Sequence, residues 1–162
     1  MPTEQEEKLI TAVIKREGGY VNNPADRGGP TNMGITLKTL SDYLGVPATL
    51  ETIRNLPVEI VEKIYYDLYI VKPGLAKLPL LTEELMFDSC VNHGPAYAIK
   101  FLQRALKVTA DGVIGPETIK AAQAANSVRL ERQIFGERLR FYGRLITKDK
   151  TQAVFAAGWM NR

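Results

Sequence analysis

The sequence predicts a mainly α-helical protein of the α+β class, with one small β-rich insertion after the first helix. Apolar residues recur at helical spacing over most of the 162 residues, and short connections rich in turn residues separate these stretches. Residues 20–36 differ, because glycines, two prolines and adjacent asparagines break any helix there. No internal repeat or long linker interrupts the chain, so we expect a single domain over residues 1–162.

The helices can be placed from their start and stop signals. Thr3 and Glu6 form a capping-box pattern that starts the first helix, and Gly18-Gly19 stops it. Residues 20–36 are expected to form loops or a small β-hairpin, and Pro116 is well placed as the first residue of a later helix. After the insertion, helices are predicted over residues 37–44, 58–69, 82–93, 96–106, 116–125, 127–146 and 153–159.

The composition excludes several classes of protein. Hydrophobic residues make up 45% of the chain and charged residues 24%, which is typical of soluble globular proteins. No apolar stretch could span a bilayer, and the first residues do not resemble a signal peptide, so we expect no export signal. Cys90 is the single cysteine and His93 the single histidine, which excludes an intramolecular disulfide and the usual ligands of a zinc site. We therefore expect no metal, and zinc amidases and zinc peptidases are excluded.

Positive charge is concentrated at the C-terminal end. Residues 1–126 contain 13 Lys and Arg against 15 Asp and Glu, whereas residues 127–162 contain 8 against 3, which together give the net charge of +3. This basic segment predicts attraction to an anionic envelope polymer, a lipid headgroup or a nucleic acid. A solvated helix face explains the same pattern equally well.

Glu17 is the first candidate for a chemical role. It follows Val13 by four residues and Ile14 by three, which places it on the apolar face of the first helix. Partial burial there disfavours the charged form of a carboxylate, as a general acid working near neutral pH requires. The alternative is a helix-end glutamate paired with a cation such as Arg16 or Arg27.

A second carboxylate, Asp26, lies nine residues later in the glycine-rich segment, where a loop can return it toward Glu17. Glycoside hydrolysis needs two carboxyl groups, one to protonate the leaving oxygen and one to stabilise the cation or activate water. This pair is therefore a candidate glycosidase site, and Thr31 supplies a hydroxyl that could position the water. Asp26 could equally be an Asx-turn residue that holds the loop after Pro24.

Several motifs carry a resemblance to a known family. They are EGGY at 17–20, NPADRGGPTN at 23–32, GIT at 34–36, FD at 87–88, VNHG at 91–94, LQRAL at 102–106, DGVIGP at 111–116 with Thr118, GW at 158–159 and NR at 161–162. Over nearly its whole length the chain resembles glycoside hydrolase family 108, a group of phage and prophage endolysins. Related phage lysozymes have five residues between the aspartate and the threonine, where this chain has four between Asp26 and Thr31.

The resemblance implies a lysozyme-like fold and an N-acetylmuramidase that cuts the β-1,4 bond between N-acetylmuramic acid and N-acetylglucosamine. It implies Glu17 as the catalytic acid, a catalytic lobe over residues 1–90 and a peptidoglycan-binding helical lobe over residues 91–162. No cofactor and no nucleic acid partner are expected. A monomeric enzyme of this type would accumulate in the host cytoplasm, reach the peptidoglycan through a lesion made by a separate holin, and use its basic end to contact anionic envelope polymers.

Four further residues are candidates for saccharide binding. Tyr20 can stack on a sugar ring or pack beneath the loop, and Asn32 belongs to the opening motif. Asp88 and Asn92 are four residues apart on one helix face, where they line a cleft or hydrogen-bond the early loop. Trp159 is either the anchor of the last helix, which is the preferred interpretation, or an interfacial residue beside the basic segment. A cluster of tyrosines at helical spacing is interpreted mainly as core, although one member could reach the cleft. The cluster consists of Tyr65, Tyr66 and Tyr69.

Other functions stay open at this point. A non-catalytic wall-binding module would use Glu17 as a salt-bridged helix end, and a lytic transglycosylase would keep the acid but release anhydromuramic ends. A cysteine–histidine nucleophile at Cys90 and His93 is disfavoured, because Cys90 lies among apolar residues. A nucleic-acid-binding protein would use the basic segment, although no readout motif accompanies it. Its arginines are Arg129, Arg132, Arg138, Arg140 and Arg144.

Overall fold

The structure, a computed structural model, describes residues 1–22 and 29–160 of the chain. The chain forms two compact units, Met1–Pro73 and the remainder from Gly74 onward. The helices of the first unit are α1 (Glu4–Glu17), α2 (Leu37–Leu44), α3 (Leu50–Arg54) and α4 (Val58–Tyr66), and α4 continues into a π-helical turn at Asp67–Val71. The strands are β1 (Thr31–Asn32) and β2 (Ile35–Thr36).

Helix α1 begins and ends where the sequence signals place it. The Glu6 backbone N–H donates to the Thr3 hydroxyl, and the Glu6 carboxylate accepts from the Thr3 backbone N–H, so the capping box is complete. Gly18 ends the helix with a φ of 76°. The buried residues Ile10 and Val13 lie on α1, which packs against α4. This packing fixes the C-terminal end of α1 in the first unit.

Strands β1 and β2 form an antiparallel hairpin in which Thr31 pairs with Thr36 and Asn32 with Ile35. The two connecting residues, Met33 and Gly34, have φ values of 49° and 79°. Positive φ at both positions is typical of type I′ turns, whose twist matches that of the flanking strands. The small β-rich insertion predicted after the first helix is therefore confirmed.

The second unit is helical throughout its regular elements. A short 3-10 turn at Leu75–Lys77 precedes α5 (Leu80–His93), α6 (Pro95–Leu106), α7 (Pro116–Ala124) and α8 (Ser127–Lys148), and a 3-10 segment at Lys150–Phe155 leads into α9 (Ala156–Met160). Helices α5, α6 and α8 pack against one another. Their buried apolar side chains include Phe87, Phe101, Leu102, Leu130 and Ile134.

Gln103 ties the turn between α6 and α7 to the body of the second unit. Its side chain is 1% exposed and donates to Asp111 Oδ1 at 2.7 Å and to the Val113 carbonyl at 2.9 Å. Its amide oxygen accepts from the Gly112 backbone N–H at 2.8 Å. The DG turn singled out in the sequence is thus held by a buried amide whose hydrogen-bonding groups are used within the protein.

The predicted class, mainly α with a small β insertion in an α+β lysozyme-like arrangement, is confirmed. Differences lie at the ends of elements and in short ones. Helix α3 was not predicted, α5 begins at Leu80 instead of residue 82, and the last predicted helix is a 3-10 segment followed by α9. Within the described residues, no helix has the length and apolar character needed to cross a membrane.

Candidate active site

Glu17 is the last residue of α1, directly before the glycine that stops the helix. Its side chain is 21% exposed, and one carboxylate oxygen lies 3.9 Å from Nε of Arg16, whose side chain is 41% exposed. An ion pair at this separation and exposure contributes little to stability. Glu17 is therefore neither sealed in the core nor held by a strong salt bridge to Arg16.

The hairpin turn confines Glu17 from one side. A Cβ atom placed on Gly34 would lie 3.0 Å from Cγ and 3.2 Å from Cβ of Glu17, and it would collide with the hydroxyl oxygen of Tyr65. Gly34 also has a φ of 79°, which L side chains rarely adopt. Only glycine lets the turn approach both side chains this closely.

Tyr65 joins α4 to the hairpin turn beside Glu17. Its hydroxyl donates to the Met33 carbonyl at 3.0 Å, and the residue is 1% exposed. Burial raises the pKa of Tyr65 well above its usual value, and the negative charge of Glu17 raises that pKa further. The phenol therefore stays protonated across the working range of an enzyme and remains a hydrogen-bond donor.

Thr31 closes the glycine-rich segment against the residues that follow α1. The Val21 backbone N–H donates to the Thr31 carbonyl at 2.8 Å, and the Thr31 N–H donates to the Val21 carbonyl at 2.9 Å. This backbone pairing places Thr31 beside Val21, which follows Glu17 closely in the sequence. Asp26, the predicted second carboxylate, lies outside the described residues.

Asn32 and Tyr20 have partners on α3. The Asn32 side-chain amide is buried, with 6% of the residue exposed, and donates to the carbonyls of Ile53 at 2.9 Å and Arg54 at 3.2 Å. These bonds satisfy carbonyls at the end of a short helix and give Asn32 a structural role. The Arg54 guanidinium lies 5.1 Å from the centre of the Tyr20 ring, a cation–π contact that covers one ring face. Saccharide binding by Asn32 and Tyr20 stays a prediction.

Asp88 and Asn92 lie in the second unit, on α5. The Asp88 carboxylate accepts from Arg138 of α8 at 3.0 Å, and Arg138 is 3% exposed. Asn92 Nδ2 donates to the Asp88 backbone carbonyl at 2.8 Å. The pair ties α5 to α8, and removing the Asp88 carboxylate would take a charged partner from the buried Arg138 guanidinium. Arg138 is therefore not a surface cation, and its inclusion in a nucleic-acid-binding face is wrong.

The thiol of Cys90 is unsuited to nucleophilic catalysis. Cys90 is 0% exposed, and burial raises the pKa of its thiol to about 12. Burial also lowers the pKa of His93, whose Nδ1 lies 3.1 Å from the Ser89 carbonyl. The thiol stays protonated at neutral pH, as expected for a small buried hydrophobe.

Two residues confine or adjoin the Glu17 side chain in a way that was not predicted from the sequence, namely Gly34 and Tyr65. Gly34 was recognised only as a motif residue, and Tyr65 was interpreted as core because its neighbours follow helical spacing. The sequence does contain one signal, since a glycine in a two-residue hairpin loop indicates positive φ. Nothing in the sequence places that loop against α4.

Comparison with known proteins decides the family. The family model described as Glycosyl hydrolase 108 matches residues 10–94, and the one described as Predicted Peptidoglycan domain matches residues 97–162. The chain belongs to glycosyl hydrolase family 108. Among solved structures, Brucella abortus SagA has 34% sequence identity and a TM-score of 0.87 over 97% of this chain and 88% of the SagA chain. No curated protein matches the chain.

Membership of family 108 confirms the resemblance seen in the motifs. Together with the match to a peptidoglycan domain, it indicates a peptidoglycan hydrolase of the glycosidase type. The family 108 match contains all seven predicted site residues. The assignment of residues 1–90 as catalytic lobe and 91–162 as binding lobe stays a prediction.

Proposed function

We propose that this chain is a muramidase that hydrolyses the β-1,4 bond between N-acetylmuramic acid and N-acetylglucosamine, with Glu17 as its general acid. The observation that carries the proposal is the confinement of Glu17 at the end of α1 by Gly34, beside the buried hydroxyl of Tyr65. The side chain of Glu17 is nevertheless not sealed from solvent, because 21% of it is exposed. A general acid must hold one orientation and also reach the leaving oxygen.

In the proposed reaction, Glu17 donates its proton to the glycosidic oxygen as the bond between that oxygen and C1 of muramic acid breaks. A water oxygen then bonds to C1, and the proton of that water passes to a carboxylate. Asp26 is the proposed second carboxylate, which stabilises the developing cation or directs the water. The hydroxyl of Thr31 is proposed to position the water, because Thr31 pairs with Val21, which follows Glu17 closely in the sequence.

The test is the release of reducing muramic ends from purified Gram-negative peptidoglycan by wild type, Glu17→Gln and Glu7→Gln. Glu7 is a matched control, since it lies exposed on the same helix and the substitution is the same. We expect Glu17→Gln to lose at least about a hundredfold in rate and Glu7→Gln to keep wild-type activity. Equal activity of the two variants, with both shown to be folded, would overturn the role of Glu17.

We further propose that the enzyme serves in lysis of a host cell. On the strength of the resemblance to phage and prophage endolysins, the enzyme is a monomer that accumulates in the host cytoplasm and lyses the host after a holin permeabilises the membrane. Expression in Gram-negative cells, with and without a pore-forming protein, tests this role. Lysis that depends on both the pore and Glu17 supports it, and lysis without the pore contradicts it.

A basic cleft in the second unit supports contact with anionic envelope polymers. It has a volume of about 460 Å³, and Arg140 is paired with Glu137 at 2.7 Å. Glu137 is the only carboxylate among the described residues that line this cleft, and four further cations share it with Arg140. Such a cluster attracts polyanions and loses affinity as salt rises. Its cations are Arg104, Lys107, Arg129, Arg132 and Arg140.

A further inference from the structure

The second unit contains a cleft of about 650 Å³ that is lined mainly by rings. The cleft is formed by the end of α5, the start of α6, the C-terminal half of α8 and the last two helical segments. A volume of this size is typical of sites that bind small organic ligands. The ring-bearing side chains are His93, Tyr97, Phe141, Tyr142, Phe155 and Trp159.

These rings are ordered against one another but are not all buried. Trp159 stacks on Tyr142 with ring centres 4.6 Å apart and planes 8° apart. Tyr97 is 55% exposed and Phe155 is 53% exposed. Large aromatic side chains that stay exposed around a concavity mark a binding site more often than a core. The stacking of Trp159 on Tyr142 agrees with the predicted anchor role. That role does not explain why Trp159 also lines the cleft.

A second cleft, of about 380 Å³, adjoins the first and shares Tyr97, Phe141 and Leu145 with it. Its other lining residues are three cations: Arg104, Arg144 and Lys148. Neither cleft includes a carboxylate among its described lining residues. The combined surface therefore offers flat apolar rings on one side and unneutralised positive charge on the other.

We propose that the two clefts together bind one peptidoglycan repeat, with a sugar ring against the aromatic side chains and the peptide carboxylates against the cations. The apolar C–H face of a pyranose ring matches an aromatic surface, and arginine pairs with carboxylates through charge-assisted hydrogen bonds. The site would hold the polymer without taking part in bond cleavage. The inference rests on the proposed function, because the ligand is the same polymer.

Tryptophan, tyrosine and basic residues also occur together where proteins contact lipid headgroups. The concave shape of both clefts favours a ligand that enters them over a flat membrane surface. A lipid surface is therefore the competing ligand from which the experiment must distinguish peptidoglycan.

The chain provides its own reporter, because Trp159 is its only tryptophan. A ligand that enters the aromatic cleft changes the fluorescence of that single residue. The probe is the disaccharide tetrapeptide N-acetylglucosaminyl-N-acetylmuramyl-tetrapeptide. It lacks the bond that a muramidase cuts, so the measurement does not depend on catalysis. Chitobiose, which has no carboxylate, and phosphatidylglycerol vesicles are the comparison ligands.

Two glycines make a matched pair of variants. Gly158 lines the cleft on α9, and a Cβ placed there meets no atom within 4 Å, so Gly158→Leu is expected to narrow the cleft. Gly143 on α8 is equally open but lies outside both clefts, so Gly143→Leu is the control. The full-length protein is used throughout, and circular dichroism checks the fold of both variants.

We expect saturable fluorescence titration by the disaccharide tetrapeptide, weaker binding of chitobiose, and a Kd raised at least about tenfold by Gly158→Leu and unchanged by Gly143→Leu. No response in wild type, equal Kd values for the two variants, or a response to vesicles alone overturns the proposal. Failure of this site leaves the release of reducing ends by wild type intact. Failure of the proposed function instead abolishes that release while the fluorescence response persists.

Discussion

At the scale of single residues, the proposed role of Glu17 depends on how closely the hairpin turn approaches its side chain. Gly34 combines a positive φ with contact to two side chains, Glu17 and Tyr65. Gly45 has a similar φ of 71° but no atom within 4 Å of an added Cβ. A substitution at Gly45 therefore measures the cost of a positive φ alone, whereas one at Gly34 measures that cost and the steric collision together.

Replacing Gly34 with alanine should therefore cost more than replacing Gly45. We expect Gly45→Ala to lower the free energy of unfolding by about 1 kcal/mol, and Gly34→Ala by about 2–4 kcal/mol with loss of activity. Urea unfolding and the rate of peptidoglycan hydrolysis measure the two effects. Tyr65→Phe should partly rescue Gly34→Ala, because it removes the oxygen with which the new Cβ collides. Equal costs at the two glycines would show that the contact is not tight.

The phenol of Tyr65 predicts a specific dependence of stability on alkaline pH. Its pKa is raised in the folded protein by burial and by Glu17, so folding favours the protonated form. This contribution is complete below the ordinary tyrosine pKa of 10.0 and is lost as pH rises above it. Tyr65→Phe should flatten the decline of the unfolding free energy above pH 10.0, measured by urea unfolding at a series of alkaline pH values. A decline in Tyr65→Phe as steep as in wild type would contradict the assignment.

At the scale of elements, Gln103 shows how one buried amide fixes a loop. Gln103→Leu would remove the amide oxygen that accepts from the Gly112 N–H and the amide nitrogen that donates to the Thr118 hydroxyl. We expect a loss of about 1–3 kcal/mol in the free energy of unfolding, measured by urea denaturation. Gln123→Leu, an exposed substitution on α7, serves as the control and should change stability by less than about 0.5 kcal/mol. A small effect at Gln103 would show that water replaces these bonds.

The ends of several helices could be predicted from the sequence, because local residues determine them. The ends of α1 and α2 follow from local capping residues, which act within one turn of the chain. Helix α3 has only five residues, too few for apolar periodicity to appear. In the π-helical turn after α4, the Lys72 N–H donates to the Asp67 carbonyl. No residue pattern in the sequence indicates this hydrogen bond in place of an ordinary α-helical one.

In the site as well, local features could be predicted from the sequence, whereas contacts between distant stretches of the chain could not. Glu17 could be selected because its position on an apolar helix face is a local property. The contact of Gly34 with Glu17 and Tyr65 joins three separate stretches of the chain, so it requires the folded structure. The Asp88 partner Arg138 is fifty residues away on another helix, and its charge suggested a surface role that burial contradicts.

At the scale of the whole molecule, the two family matches cover different parts of the chain. Residues 10–94 carry the glycosidase family and residues 97–162 the peptidoglycan domain, and the excess of positive charge lies in the latter. The proposed aromatic and cationic clefts give that second match a physical basis. Hydrolysis and wall binding should then be separable by substitutions at Glu17 and Gly158.

The most direct test of the central claim is mass spectrometry of the fragments released from peptidoglycan in water labelled with heavy oxygen. A muramidase adds one labelled oxygen at C1 of muramic acid, so we predict labelled reducing muramic ends from wild type and from Glu7→Gln. Glu17→Gln should release almost none. Unlabelled anhydromuramic ends, or labelled glucosamine ends, would contradict muramidase hydrolysis, and labelled muramic ends from Glu17→Gln would remove Glu17 as the acid.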